Sequence, residues 1–233
     1  AIFRALSQAR KSGIFLVHSS SAAQQAHKYL QAGFHFVIHE NAEKTICEML
    51  QTFLRTGSEK KLKTLKGISF LEKGIFIRKH PQIDTISLHD APLPYGGIIN
   101  IEPYRNMWLS NHGYFSLNIS TSRGCPFNCN WCAKPLYGKT YRAVPSRKIA
   151  EQFSYLSTHL AADHIWITDD IFALEPDWLA EFTMELEKLD AKIPYKCQNR
   201  ADLITERFVT QLARSGCREV WLGVESGSQK VLD

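Results

Sequence analysis

Between residues 114 and 224, short apolar runs alternate with amphipathic segments, and this alternation limits the fold more than any other feature of the chain. The runs are 114–120 (YFSLNIS), 164–168 (HIWIT), 194–198 (PYKCQ) and 219–224 (EVWLGV). Between them, Ile149, Phe153, Leu156 and Leu160 share one helical face, as do Leu179, Phe182, Leu186 and Leu189; a third helix runs from a Thr205 N-cap to Gly216 at C′. Strands joined through helices lie parallel, so the expected class is α/β, with a sheet curling toward a partial (β/α) barrel. Four strands do not complete a barrel of six or eight, and an open apolar edge is a liability. Further sequence is therefore expected after GVESGSQKVLD, and before residue 1 as well.

The front of the chain has a related rhythm. Residues 14–18 (IFLVH) and 34–38 (FHFVI) are strand-like and are separated by a segment of helical length ending at Gly33. Ile46, Met49, Leu50 and Phe53 then recur at helical spacing up to Gly57. This predicts the rear half of a small doubly wound domain over 1–66. ISFLEKGIFIRKH (68–80) alternates about a Lys-Gly turn and reads as a hairpin. Residues 80–112, with four prolines and little periodicity, read as a linker, so that 67–112 separates the front domain from the barrel portion at 113–233.

Charge and composition exclude several classes. The 233 residues contain no run of eighteen apolar residues and no opening signal segment, which predicts a cytoplasmic protein without membrane partners. Residues 1–110 carry 14 Lys+Arg against 8 Asp+Glu, and the remainder 14 against 15. Much of that basic excess lies in GSEKKLKTLKG (57–67), which lacks interleaved aromatics and reads as a solvated loop, so no nucleic-acid partner is expected. Six cysteines, unevenly spread, do not make a disulfide scaffold. Cys47, Cys197 and Cys217 lie in apolar settings and read as ordinary core residues.

The other three cysteines stand in RGCPFNCNWCAKP, at Cys125, Cys129 and Cys132, directly after the first strand of the regular half. A structural zinc site takes four protein ligands, usually as two separated pairs, and no second pair is present. Thiolates at short, uneven spacing suit an iron-sulfur cluster instead, and three of them on four irons leave one iron open for chemistry. The alternative is a noncatalytic zinc-binding interaction module. Polar residues also gather at the predicted strand ends, where (β/α) folds keep their active sites: Asp169 and Asp170, Gln198 and Arg200, Glu225 and Ser226.

C-x3-C-x2-C with Trp131 before the last cysteine, after the first strand of a partial barrel, resembles the radical SAM superfamily. The resemblance implies a 4Fe-4S cluster on Cys125, Cys129 and Cys132 whose fourth iron chelates S-adenosylmethionine. One-electron reduction from an external donor then cleaves the sulfonium to a 5′-deoxyadenosyl radical. It further implies that Trp131 lies beside the adenine, Asp169 or Asp170 meets the methionine ammonium, Arg200 its carboxylate, and Glu225, with Ser226, the ribose. The common Gly-Gly-Glu after the second strand is replaced here by ITDDIF.

A doubly wound segment ahead of such a barrel resembles the cobalamin-binding branch of that superfamily, with likeness along nearly the whole chain, including GYFSLNISTSRGCPFNCNWCAKPLYG and DHIWITDDIF. This implies cobalamin at the C-terminal edge of the front sheet. Ser19 and Ser20, in VHSSSA, stand where related corrin domains have a Gly-Gly pair and are its corrin-side candidates, although they add Cβ atoms where glycine allows close approach. A D-x-H-x-x-G segment is absent, and His18, His27 and His39 read as surface or core histidines. The implied reaction is hydrogen abstraction from an unactivated carbon of a small-molecule or peptide substrate, followed by cobalamin-assisted methyl transfer or rearrangement. A radical SAM enzyme with a vestigial corrin domain is the variant of that reading.

Overall fold

The computed structural model describes residues 16–18, 25–39, 42–79, 99–129, 132 and 141–232. The chain divides into two compact units, Ala1–Ser87 with Phe127–Lys139, and Leu88–Pro126 with Thr140–Asp233.

In the first unit, β1 (Leu16–His18), α1 (Ala26–Gln31) and β2 (Phe36–Ile38) form a β-α-β crossover whose strands pair in parallel, Leu16 opposite Phe36. After α2 (Ala42–Thr56) and α3 (Glu59–Leu62), β3 (Ile68–Glu72) and β4 (Ile75–Arg78) add antiparallel to β2, giving the order β1-β2-β3-β4. The hairpin expected at 68–80 thus extends the front sheet. Its two-residue turn is Lys73-Gly74, both at positive φ, the geometry that matches strand twist. β2 is buried on both faces: Phe36 and Ile38 pack with Met49, Leu62 and Phe70, whereas Val37 points the other way onto Ala26 and Leu30. That two-sided burial explains its unbroken apolar run.

The second unit opens with α4 (Glu102–His112), which stands where the sequence predicts a linker. Pro103 sits in its first turn and Gly113 ends it at φ 76°. None of its residues is buried, so it lacks the apolar stripe by which helices are read from sequence. The strands β5 (Ser116–Ile119), β8 (His164–Ile167), β9 (Tyr195–Arg200) and β10 (Cys217–Gly223) form one sheet in the order β10-β9-β8-β5 with every neighbouring pair parallel. They alternate with α5 (Ser146–Thr158), α6 (Pro176–Lys188) and α7 (Glu206–Ser215), as the periodicity predicts.

The Thr205 hydroxyl accepts the Phe208 N–H at 3.2 Å to start α7, and Gly216 ends it in the left-handed region. One large core fills the helix side of the sheet. Phe115, Leu117, Ile165, Ile167, Tyr195 and Cys197 meet Phe153, Leu156, Phe182 and Leu186, with Phe153 and Phe182 edge to face at 5.2 Å. The remaining elements are a ribbon of β6 (Ser122–Arg123) with β7 (Arg142–Ala143), and α8 (Gln229–Leu232). Among the described residues the sheet does not close into a barrel, and no helix is long and apolar enough to cross a membrane.

Candidate cofactor site

Because all four strands of the second unit run the same way, their C-terminal ends share one edge of the sheet. The first end, β5, leads through Ser120 and Thr121 into the β6–β7 ribbon, which pairs Ser122 with Ala143 and Arg123 with Arg142. The Val144 N–H also donates to the Thr121 carbonyl at 2.8 Å, and the Trp178 indole N–H to the Val144 carbonyl at 2.7 Å. Both arms of the cysteine-bearing segment are therefore gripped at its base. Gly124, at φ 80°, makes the turn out of the ribbon immediately before Cys125.

Asp169, from the end of β8, secures the near arm. Its side chain is 2 % exposed and accepts the Thr121 N–H at 2.7 Å, the Ser122 hydroxyl at 2.7 Å and, at close range, the Thr121 hydroxyl. Burial pushes its pKa up to about 6, against the pull of the hydrogen bonds from Thr121 and Ser122. With these donors on it, Asp169 is committed to the loop stem. Asp170, the next residue, is exposed, and partial desolvation raises its pKa. The structure thus separates two carboxylates that adjacency in sequence leaves equivalent. Tyr141 completes the stem: the Leu174 N–H donates to its hydroxyl at 3.3 Å, and burial raises its pKa.

At the end of β9, the Asn199 amide donates to the Phe172 carbonyl at 2.9 Å and its side-chain oxygen accepts the Arg200 N–H at 2.8 Å. The Arg200 guanidinium grips Asp202 through Nε at 2.9 Å and Nη2 at 2.8 Å, a bidentate pair at the 3-10 turn Ala201–Leu203. A ligand carboxylate at Arg200 would have to share that fork with Asp202 or displace it. At the end of β10, Glu225 is exposed and held at φ 63°, and its side chain folds back toward Gly223, where a Cβ would meet Oε1 at 2.9 Å. The Ser226 hydroxyl accepts the Ser228 N–H at 3.0 Å as the chain turns into α8.

Sequence reasoning missed a row of residues on the sheet face turned away from the helices. Trp166, Lys196 and Glu219 are register partners across β8, β9 and β10. The Lys196 ammonium lies 4.2 Å from the Trp166 ring centre and 5.0 Å from that of Trp221, and the Trp221 indole N–H donates to the Glu219 carboxylate. The signal was available as alternation: in HIWI, YKCQ and EVWLG these residues occupy the phase opposite to the buried Ile165, Tyr195 and Cys197.

None of the six cysteines is in a disulfide. Cys125 is counted with the second unit, and Cys129 and Cys132 with the first. The Cys132 N–H donates to the Cys129 carbonyl at 3.3 Å, a turn that brings the last two cysteines of the motif close in the chain. Among the described residues no three His, Cys, Asp or Glu side chains converge as ligands of a single metal ion. The donor chemistry, three thiols at short uneven spacing, fits an iron-sulfur cluster, whose ligands bind separate irons rather than one point. Trp131, Ser19 and Ser20 lie outside the described residues.

In the first unit, His39 is buried with Nε2 2.8 Å from the Ser69 hydroxyl, and His27 lies edge-on to Phe76 at 5.9 Å. Both fit the packing roles expected of them. Cys47 differs from expectation: it is exposed on α2, outside the Phe36–Met49–Phe70 core.

Residues 119–233 match the profile of the Radical SAM superfamily. An uncharacterized methyltransferase of Pyrococcus horikoshii is 26% identical over 198 residues, covering 84% of this chain and 41% of that protein. The anaerobic magnesium-protoporphyrin IX monomethyl ester cyclase of Cereibacter sphaeroides is 22% identical over 201 residues, covering 84% of this chain and 32% of the cyclase. The chain therefore spans about two fifths or less of the length of these relatives. The radical S-adenosylmethionine methyltransferase TsrM of Kitasatospora setae, solved with cobalamin and a 4Fe-4S cluster bound, superimposes with a TM-score of 0.79 over 99% of this chain and 45% of that one, at 15% identity. The two share a fold.

Proposed function

We propose that this chain, which belongs to the radical SAM superfamily through residues 119–233, forms part of an enzyme that cleaves S-adenosylmethionine reductively and transfers a methyl group with the help of cobalamin. Family membership implies a 4Fe-4S cluster and S-adenosylmethionine as cofactors. The observation that carries the reading is the cysteine segment itself: three thiols, directly after the first strand of an all-parallel sheet, on a stem held by Asp169 and the β6–β7 ribbon. A cluster held by Cys125, Cys129 and Cys132 would supply the single electron that breaks the sulfonium bond.

The protein's own part is to orient the nucleoside. Asp170 is the carboxylate for the methionine ammonium, since Asp169 is occupied in the stem. Arg200 takes the methionine carboxylate, with Asp202 exchanging out of its fork, and Glu225 takes the ribose hydroxyls; Trp131 lies beside the adenine, with Ser226 next to the ribose. Cobalamin assistance is supported by the β-α-β order of the front sheet and by the shared fold with TsrM. Its site would be the C-terminal edge of β1 and β2, the edge where open α/β sheets take their ligands, with Ser19 and Ser20 on the corrin side. The substrate class is a small molecule or peptide, and the reductant an external one-electron donor.

Anaerobic reconstitution with iron and sulfide, followed by dithionite and S-adenosylmethionine, tests the reading. 5′-Deoxyadenosine from the wild-type protein and none from Cys129→Ala is the expected result. Colourless, zinc-loaded protein that takes up no iron would overturn it in favour of the interaction module. S-adenosylhomocysteine formed in step with retained cobalamin is expected for methyl transfer; its absence would reduce the activity to hydrogen abstraction.

A further inference from the structure

A second pair of thiols, remote in sequence from the cysteine loop, meets between neighbouring strands. Cys197 lies on β9 and Cys217 begins β10, and their sulfurs are 3.9 Å apart. A register shift between Cys217 and Glu219 sets Cys217 opposite Tyr195 rather than in the regular ladder. Gly216, at φ 99° and with the Ile193 carbonyl 3.3 Å from where a Cβ would be, turns the chain from α7 to deliver it there.

The two thiols differ in access. Cys197 is 1 % exposed and walled into the core. Cys217 lines a cavity of about 260 Å³ between α7 and β10, with Ile204, Val209, Leu212, Val220 and Leu222 around it. Their acidities differ as well. The hydrogen bond between the two sulfurs lowers the pKa of Cys217 despite burial, helped by the Glu219 backbone, 3.5 Å from Cys217 at its carbonyl, and by Tyr195, while that same bond and burial raise the pKa of Cys197. The Tyr195 hydroxyl is also bonded to Ser215 at 2.6 Å, and the Glu219 carboxylate opposes the acidification of Cys217.

We propose that Cys197 and Cys217 are a redox-active dithiol, in which hydrogen peroxide reaching the cavity oxidises Cys217 and Cys197 then closes a disulfide that links β9 to β10. The Cys217 sulfur attacks the peroxide; an S–O bond forms, the O–O bond breaks, and the leaving hydroxide takes a proton to become water. Cys197 then attacks the Cys217 sulfenic acid; the S–S bond forms, the S–O bond breaks, and the second hydroxide leaves as water with the Cys197 proton. Two thiols lose two electrons and two protons, and one peroxide becomes two waters. The roles are fixed by access: Cys217 is the attacking thiol and Cys197 the resolving one. Neither residue belongs to the cysteine loop, so this inference stands apart from the cofactor reading.

Peptide mapping tests it on the anaerobically reconstituted protein. After brief exposure to one equivalent of hydrogen peroxide, the protein is unfolded, alkylated and digested. The expected product is a cross-linked pair of peptides carrying Cys197 and Cys217, about 2 Da lighter than the two reduced peptides together and released by dithiothreitol. The pair should be consumed about tenfold faster than Cys47, which is exposed but has no cysteine within its own helix to resolve it. In Cys197→Ser, Cys217 should accumulate a sulfenic acid that dimedone traps; in Cys217→Ser, Cys197 should stay reduced. Full alkylation of both residues after peroxide, or their oxidation no faster than Cys47, would overturn the proposal. Because the readout is the identity of linked peptides, it is independent of whether the protein cleaves S-adenosylmethionine.

Discussion

The two units each contain a sheet of four strands, and the difference in how those strands are connected accounts for the difference in what they carry. In the first unit only β1 and β2 pair in parallel; β3 runs against β2 and the chain reverses again at Lys73-Gly74, so β3 ends at the edge opposite to the other three strands. In the second unit every connection is a crossover, and the chain returns to the same edge four times. That edge accordingly bears the cysteine stem, Asp169, Asp170, Arg200 and Glu225. The lesson is that parallel connectivity, more than strand number, assembles a site. The cores differ in the same sense: the second unit buries a continuous aromatic cluster around Phe182, while the first divides its apolar residues between the two faces of β2.

The largest expected effect breaks the comparison at its functional end. Replacing Cys125, Cys129 or Cys132 by alanine should abolish 5′-deoxyadenosine formation, while thermal unfolding monitored by circular dichroism stays close to wild type. Next comes the contrast between cores. Phe182→Ala should cost about 5 kcal/mol and Phe70→Ala about 3 kcal/mol in urea unfolding, because Phe182 loses four aromatic neighbours and Phe70 mainly Phe36. Equal losses would remove the distinction.

A third test concerns Asp169. Its folded pKa of about 6 exceeds the ordinary 3.8, so the folded state takes up the proton first and the stability it contributes is present below pH 4 and lost as pH rises through 6. Relative to Asp169→Asn, the wild type should gain on the order of 3 kcal/mol between pH 7 and pH 4, measured by urea unfolding at each pH. A flat difference would mean that the stem carboxylate is not desolvated. Asp170→Asn should leave stability unchanged and raise the KM for S-adenosylmethionine about threefold, as expected for loss of one exposed charge contact. The smallest effect lies in the first unit: Gly74→Ala, at φ 81°, should cost about 1 kcal/mol with no change in cofactor chemistry.

What could be read from the sequence followed the range of the interactions involved. Strands and helices of the second unit were legible because Ile165, Ile167, Phe153 and Phe182 declare their faces by local period. The hairpin was legible from Lys73-Gly74, and the cysteine loop from its spacing. Helix α4 was not, since it buries no residue fully and touches the core only through Tyr104, Arg105 and Trp108, a short and partly polar stripe. The division of labour between Asp169 and Asp170 depends on donors 47 and 48 residues away, which no local pattern reports. The meeting of Cys197 with Cys217 depends on strand register and on the irregularity after Cys217, and the Lys196–Trp166–Trp221 contact depends on three strands lying side by side.

The β6–β7 ribbon has one more consequence. In a free chain, bringing the two ends of a loop such as 124–141 together costs about 2.5 kcal/mol of configurational entropy. Here Ser122 and Arg123 meet Ala143 and Arg142 within the ribbon, so that cost falls on the fold of the second unit rather than on whatever the segment between them binds.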